Sequence, residues 1–442
     1  MLRKYTVVSF VLLCTASPAS AQLSQTFDTL FDKILREDFQ VSPGPHANHY
    51  VPAADIANQA LTPALNSLIT SNISSFPLSS TIAGVTFDFS TGRPVSLEEG
   101  QGPIFAESAE TLGAQKLVVG VNATYLSLNR FRGMPLKDMR FTFTHEDLDD
   151  PGLGDNPTEI DVVDVFLGLD VNASIIAFSA TYGLARNLDV GVAIPFISLN
   201  INGTARAVVQ SMTLFIQDRF GGGARHFFDG DAHHPMLVNE TGYDESASGL
   251  GDIAVRLKYR FPTQMDSDIA TMLDVRIPTG SAADFLGTGS LSARLALIGS
   301  KRIGAFTPHV NFGYNYRGAD LDSDEIEFAV GFDQKVLRGV TVAVDFLGEF
   351  DVNGSEVVTL YPGGGNTTTI QEQSPDTGAM ASRTIELSNV PDRANDHTLN
   401  GSFGFWIAPS ERFQVLANVL IPLQDGGLRS NIAPTLGMTL TL

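Results

Sequence analysis

From Lys116 to the last residue, apolar and polar side chains alternate with a period of two. Successive strand residues point to opposite faces, so this period predicts β-strands with one apolar and one polar wall. The pattern is clearest over 249–278. Ile253, Val255, Leu257, Tyr259 and Phe261 share one parity, with Asp252, Arg256, Lys258 and Arg260 on the other. After a polar turn at 262–267, Ile269, Thr271, Leu273, Val275 and Ile277 oppose Asp268, Asp274 and Arg276. Two such strands also fit a soluble antiparallel sheet, so the argument rests on recurrence and on loop lengths.

The alternation recurs at 116–125, 160–184, 188–196, 249–261, 269–277, 291–297, 306–316, 325–335, 340–351, 399–407, 413–421 and 431–442. The run at 160–184 keeps Val163, Val165, Leu167, Leu169, Val171, Ala173, Ile175 and Ala177 in one parity with no Gly or Pro turn to split it. It predicts one strand that projects beyond a membrane. The count is twelve strands, or fourteen if long stretches divide. Joins near Ala185, Pro262, Ser300, Gly339 and Ser410 are short, whereas those at 129–159, 202–248, 278–288, 317–324, 352–396 and 424–430 are longer. Short turns at one end and long loops at the other predict an all-β, antiparallel transmembrane β-barrel of the outer-membrane type, its short turns periplasmic. Tyr259, Phe261, Phe306, Phe405 and Phe413 fall near the short-turn ends, and Phe196, Tyr314, Tyr316 and Phe350 near the other, as two interfacial belts. The apolar parity is expected to face lipid. Within 202–248, the spacing of Ala205, Val208, Val209, Met212, Phe215 and Ile216 suggests a helix carried by a loop.

Residues 22–115 lack the two-residue period. Phe27, Leu30, Phe31, Ile34 and Leu35 recur at helical spacing, and 53–73 predicts a second helix with Pro63 as an interruption or a first-turn residue. Val85–Phe89 alternates briefly and 90–113 reads as irregular. This segment is expected to plug the lumen or to extend into the periplasm, with 116–442 as the barrel. Ahead of it, Arg3 and Lys4, the apolar run 7–13 and Ala19-Ser20-Ala21 read as a secretory signal cleaved after Ala21. Cys14, the only cysteine, leaves with it, so no disulfide is expected.

The formal charge is −21, or −23 without Arg3 and Lys4, which argues against a nucleic-acid partner. Expected partners are outer-membrane lipid and lipopolysaccharide, the barrel-insertion machinery and a small solute. The stretches 180–195 (ATYGLARNLDVGVAIP), 249–259 (GLGDIAVRLKY) and 276–280 (RIPTG) resemble the outer-membrane channel family named after the phenol meta-degradation pathway. The resemblance runs from Lys116 to Leu442. It implies a transporter-like barrel taking up small, often aromatic, compounds. The N-terminal segment is more loosely similar to the hatch of fatty-acid transport barrels. Outer-membrane barrels usually end in an aromatic residue, and Leu442 departs from that pattern.

By parity the lumen wall carries Asp252, Arg256, Lys258, Arg260, Asp274, Arg276, Arg294, His309, Glu327, Asp333, Asp345, Glu349, Asp351 and Trp406, the only tryptophan. These are the solute-path candidates. Opposed basic and acidic walls would bias which solutes pass; the plainer alternative is that the charges pair with one another, with water or with the plug. Trp406 can stack on an aromatic solute or anchor the plug. No catalytic site, metal or cofactor is expected. His226, Asp229, Asp231, His233 and His234 have no established ligand spacing. Asp320, Asp322 and Asp324 lack the glycine and glutamate of a calcium loop. His397 and Ser402 lie on opposite parities, which keeps a nucleophile–base pair apart. The expected function is uptake of a small, aromatic or hydrophobic, solute through a charged lumen. A surface barrel whose loops bind a partner is the alternative, and an outer-membrane hydrolase the third reading.

Overall fold

A computed structural model describes residues 22–42, 55, 57–74, 86–88, 93–95, 103–147, 153–154, 159–215, 223–263, 267–318, 323–352, 366–373, 379–393, 395–410 and 413–440. The signal segment, Ile216, Asp320 and Asp322 fall outside these residues.

Twelve antiparallel strands close into one barrel. They are β1 (Lys116–Phe131), β2 (Val162–Ala185), β3 (Leu188–Gln210), β4 (Val238–Leu250 continued by Ile253–Arg260), β5 (Asp268–Ile277), β6 (Ser292–Ser300), β7 (Phe306–Arg317), β8 (Glu325–Leu337), β9 (Val340–Asp351), β10 (Thr398–Ser410), β11 (Phe413–Pro422) and β12 (Ala433–Leu440). Each pairs with the next, and β12 closes on β1 with Thr435 opposite Thr124 and Met438 opposite Val121. Large apolar side chains stand on the outside: Phe178 is 56 % exposed, Leu295 58 % and Leu436 62 %. A surface of that kind is stable only against hydrocarbon.

β2 has 24 residues and β3 has 23, about twice the 9–11 that a tilted crossing needs. The row Ile176–Phe196–Leu250 is aligned across β2, β3 and β4, and the next outward row is Ser174–Ser198–Ser248. Beyond it come Asn172–Asn200–Ser246 and Asp170–Asn202–Asp244. The outer face therefore turns polar between adjacent rows, which marks where the strands leave the membrane.

On the other face the change runs in the opposite direction. Near the short turns the interior is polar or small, with Ser179 and Thr181 on β2 and Asp189 and Gly191 on β3. Above the boundary Val163 to Ile175 on β2, and Ile197, Leu199, Ile201, Ala205, Ala207 and Val209 on β3, are buried inside. Two expectations are corrected by this. The apolar parity of 163–177 points inward rather than to lipid. Residues 204–210 extend β3, 238–248 extend β4, and among the described residues of this stretch only the single turn Thr213–Phe215 is helical. The apolar parity of β3 switches from even to odd after Phe196, so a single-parity pattern breaks off there while the strand continues. The polar excursion 129–159 likewise contains the strand Met139–Thr144, paired with β2, and 352–396 contains the hairpin Thr367–Gln373/Met380–Glu386.

β4 has a one-residue irregularity. Leu250 faces Phe196 but Ala254 faces Ala193, so one extra residue is inserted around Gly251–Asp252. Such a bulge flips the outward parity: it is even in Val238–Leu250 and odd in Ile253–Arg260. Gly249 thus lies on the opposite face from Ile253, although both are odd.

The inward apolar rows meet helix α1 (Thr26–Asp32), its π-helical continuation Lys33–Glu37, and helix α2 (Thr62–Ser74), which follows the π-helical turn Ala57–Leu61. Phe27, Leu30, Phe31, Ile34 and Leu35 are all buried, as their spacing predicts, together with Ala64, Leu65, Ile69 and Ile73. Phe27 meets Tyr243 of β4 edge-on at 6.3 Å, and Phe31 meets Phe143 at 6.1 Å. Tyr243 reaches across Gly203, where a Cβ would lie 1.9 Å from the Gly168 carbonyl oxygen, and donates its hydroxyl to that oxygen at 2.8 Å. Tyr243→Phe should cost about 1 kcal/mol in denaturant titration of the lipid-embedded protein; a change near zero would mean that the hydroxyl is not holding the extended strands together.

Candidate functional site: the lumen and its strap

Residues 103–115 run through the barrel. A Cβ on Gly404 of β10 would lie 2.5 Å from Ile104, which places that side chain against the wall. Next, Glu107 and Asn311 of β7 exchange two hydrogen bonds: the Glu107 amide donates to Asn311 Oδ1 at 3.2 Å, and Asn311 Nδ2 donates to the Glu107 carbonyl at 3.0 Å. Lys258 of β4 donates to Glu107 Oε2 at 2.7 Å and to the Ser108 carbonyl at 3.0 Å. Ala109 seats on Ala270, Met272 and Ile298, and its amide meets Ser300 Oγ at 3.3 Å. Glu110 pairs with Arg302 at 2.5 Å, and the Leu112 amide donates to Asp189 Oδ2 at 2.9 Å. At Gly183 a Cβ would lie 1.8 Å from the Gly113 carbonyl oxygen, so the strap lies directly on β2 before the chain enters β1. A segment that touches the inner faces of β2 to β7 and of β10 crosses the lumen. Ile104 and Phe105 anchor it in the main apolar core, and from Glu107 to Leu112 it is held by polar contacts and the small apolar seat of Ala109.

The wall around it is laced by ion pairs. Arg256 and Asp274, directly opposite on β4 and β5, meet at 2.8 Å. Arg294 meets Glu327 at 2.6 Å, Arg260 meets Asp268 at 2.5 Å and Arg317 meets Glu325 at 2.6 Å. His309 lies 2.7 Å from Asp345 and 4.0 Å from Asp333. Glu349 sits opposite Glu327 across β8 and β9, and one of its oxygens accepts the Thr398 hydroxyl at 2.6 Å. The basic and acidic residues therefore largely neutralise each other across adjacent or next-but-one strands instead of facing each other as two walls. Arg256, Asp274, Arg276, Arg294, Glu327 and Phe105 line a cavity of about 760 Å³, counting its opening to solvent.

Other candidates lie elsewhere. Asp252 points into the loop after β5, accepting from the Gly280 amide at 3.0 Å and from the Thr288 amide and hydroxyl at 2.8 and 2.9 Å. It braces a loop and does not line the path. Trp406 is 2 % exposed within the core shared by the helices and the wall. Asp351 Oδ2 accepts the Asp396 amide at 2.8 Å. His397 Nδ1 accepts the Asp351 amide at 3.1 Å, whereas Ser402 accepts from Asn418 at 2.9 Å on the inner wall.

The histidines of the loop after β3 separate. His226 is fully buried, with Nδ1 2.7 Å from Asp161 Oδ2, while Asp229, Asp231, His233 and His234 are exposed. The backbone amides of His233 and His234 hold the Asp231 carboxyl below its ordinary range. Among the described residues no group of three His, Cys, Asp or Glu side chains is arranged to hold a metal.

Sequence reasoning missed two features. Residues Gln40–Val41 pair with His226–Phe227, and Phe39 stacks on His226 at 5.8 Å, which fastens the helical segment to the long-loop end. The strap's anchors Glu107, Asn311 and Ser300 were equally hidden. Asn311 has the inward parity of β7, but nothing local marks its partner 204 residues away.

The model of the family described as "Putative MetA-pathway of phenol degradation" matches residues 155–426, more than half of the chain. The chain belongs to this family. The match begins just before β2 and ends just after β11. No curated protein matches the sequence. Among solved structures, the chain is similar to the COG4313 outer membrane channel from Pseudomonas putida F1, with 11 % identity, 75 % of this chain and 97 % of that chain covered, and a TM-score of 0.37. It is also similar to the translocator domain of the autotransporter NalP from Neisseria meningitidis (9 %, 75 % and 90 %, 0.31). A Pseudomonas aeruginosa FadL homologue gives 8 %, 73 % and 88 %, and 0.30. Likenesses this distant bear on neither cargo nor mechanism.

Proposed function

We propose that this family member is an outer-membrane channel that admits a small solute through its lumen, with residues 22–115 as the plug and 116–442 as the barrel. In this reading residues 1–21 direct export, the short turns are periplasmic, and lipid and lipopolysaccharide surround the apolar girdle. The observation that carries the proposal is how the strap is held. A purely structural filler would be expected to bury an apolar face along its length. Instead, past an apolar anchor at Ile104 and Phe105, Glu107, Ala109 and Glu110 hang on Lys258, Asn311, Ser300 and Arg302, and water can replace such hydrogen bonds at a net cost of about 0.5–1.5 kcal/mol for the neutral ones and about 1.5–3 kcal/mol for those to charged groups. Displacing the strap would join the charged cavity to the short-turn end without unfolding the wall. The paired charges would then offer polar contacts along the route while keeping its net field small. The family's description supports a small aromatic or hydrophobic solute as cargo.

Planar-bilayer conductance tests this. The full chain should conduct weakly or in brief openings. Deleting residues 22–115, or combining Glu107→Ala with Asn311→Ala, should raise the conductance severalfold. If folded protein passes no current in any of the three forms, the channel reading fails.

A further inference from the structure

His309 of β7 stands between two wall positions that hold the strap. Ser300, opposite it on β6, accepts the Ala109 amide, and Asn311, two residues along β7, clips Glu107. The imidazole also reaches across Gly331 of β8 to Asp345 of β9, whose Oδ1 lies 2.7 Å from Nε2. A Cβ at Gly331 would lie 2.8 Å from that nitrogen and 2.4 Å from that oxygen, so glycine is what lets the bridge pass. Asp333, two residues further along β8, lies 4.0 Å from Nδ1, too far for a hydrogen bond. The three residues are at most 4 % exposed. His309 Nδ1, Asp333 Oδ1 and Asp345 Oδ2 are each shielded from solvent and have no hydrogen-bond partner among the described residues.

The charged groups that face this cluster come from three other elements: Glu107 and Glu110 of the strap, Lys258 of β4 and Arg302 of the β6–β7 turn. Thr307 stands opposite Asp333, and Ser402 of β10 opposite Asp345. Lys258 is engaged with Glu107, whereas Arg302 and Glu110 both act electrostatically on Asp333. With a neutral imidazole the cluster buries two ionised carboxylates and no cation, which is costly. Asp333 then competes with Glu110 for Arg302, and the Arg302–Glu110 pair is partly exposed and so weakly held. A second proton on His309 ends the competition, because the imidazolium serves both carboxylates.

We propose that His309 is a proton-operated latch for the strap. Its charged form bridges Asp333 and Asp345, leaves Arg302 to Glu110 and holds the strap; its neutral form turns Asp333 onto Arg302 and frees the strap. The strap is therefore held on the acid side and released as pH rises through about 5–8, where imidazoles lose their charge. The inference rests on the channel reading above and names what moves its plug.

Two readouts on the full-length protein in lipid test it: bilayer conductance, and the rate at which a thiol reagent modifies Ala109→Cys. Between about pH 5.5 and about pH 8 the conductance should rise about threefold or more. The thiol rate, taken as a ratio to the same cysteine in a His309→Gln background at the same pH, should rise likewise; the ratio cancels the thiol's own titration. His309→Gln cannot carry the charge and should stay open at both pH values. Asp333→Asn removes the competitor and should stay closed at both. A merely structural role would move both variants the same way. Retained heat-modifiable migration in gels shows that the variants are folded. Conductance that falls as pH rises, or an unchanged pH response in either folded variant, overturns the proposal. The expected thiol response without bilayer current supports the latch and retires the channel. Current with no pH response in either readout does the reverse.

Discussion

Arg132→Ala should destabilise the long-loop end of the barrel by about 3–5 kcal/mol, the cost of breaking a buried ion pair by removing one partner. Arg132 is 1 % exposed at its side chain and grips Asp396 through Nε and Nη2, both at 2.9 Å. Its Nη1 donates to the Pro391 carbonyl at 3.0 Å, and its amide to the Gly427 carbonyl at 3.0 Å. Asp396 also accepts the Gly427 amide at 3.1 Å. One side chain thus joins the turn after β1, the loop before β10 and the loop after β11. Arg132 itself has φ +50°, in the left-handed region that non-glycine residues rarely adopt. Removing the guanidinium leaves a half-enclosed carboxylate and a strained turn left with its backbone bond to Gly427. The loss should appear in denaturant titration of the lipid-embedded protein, and as new proteolysis around 388–397. The double variant Arg132→Ala/Asp396→Ala should cost less than the sum of the two singles, because the orphaned charge goes with its partner. Additive costs would show that the two residues act separately.

Leu273→Arg should cost about 2–4 kcal/mol, since it places a charge near the middle of the lipid-facing band. Leu273 is 40 % exposed on β5 and is flanked in register by Leu257 and Leu295. The informative comparison is Ser198→Arg on β3. Ser198 also points outward, but it stands in the serine row just beyond Phe196. There the cost should fall to about 0–1 kcal/mol. The difference, read as a shift of the unfolding midpoint in vesicles, locates the membrane boundary. Equal costs at the two positions would remove the physical basis for calling the band a membrane surface.

The strand count, the closing order and the sidedness of the loops were legible in the sequence. Inside the membrane the two faces of a strand meet opposite solvents, and a period of two records that contrast directly: Val255, Leu257 and Leu273 against Arg256, Lys258 and Asp274. The buried face of α1 was legible for the same reason. Legibility failed where the contrast reverses. Beyond Phe196 the outside of β3 is water and the inside is the helical segment, so Ile197 to Val209 carry the apolar parity that Leu188 to Phe196 had on the other face. Ala205, Val208, Val209 and Met212 then imitate a helical spacing. The bulge at Gly251–Asp252 hides a second flip inside what reads as an unbroken run.

By itself, then, the sequence determined what depends on neighbours two to four residues away: the twelve strands, the apolar girdle, the amphipathic faces of the helices and the inward parity of the charged residues. Only the tertiary structure decided which charges meet. Lys258 with Glu107, Arg132 with Asp396 and Asn311 with the strap are separated by 151, 264 and 204 residues. Such pairs are selected by barrel closure and strand register, which no local pattern encodes.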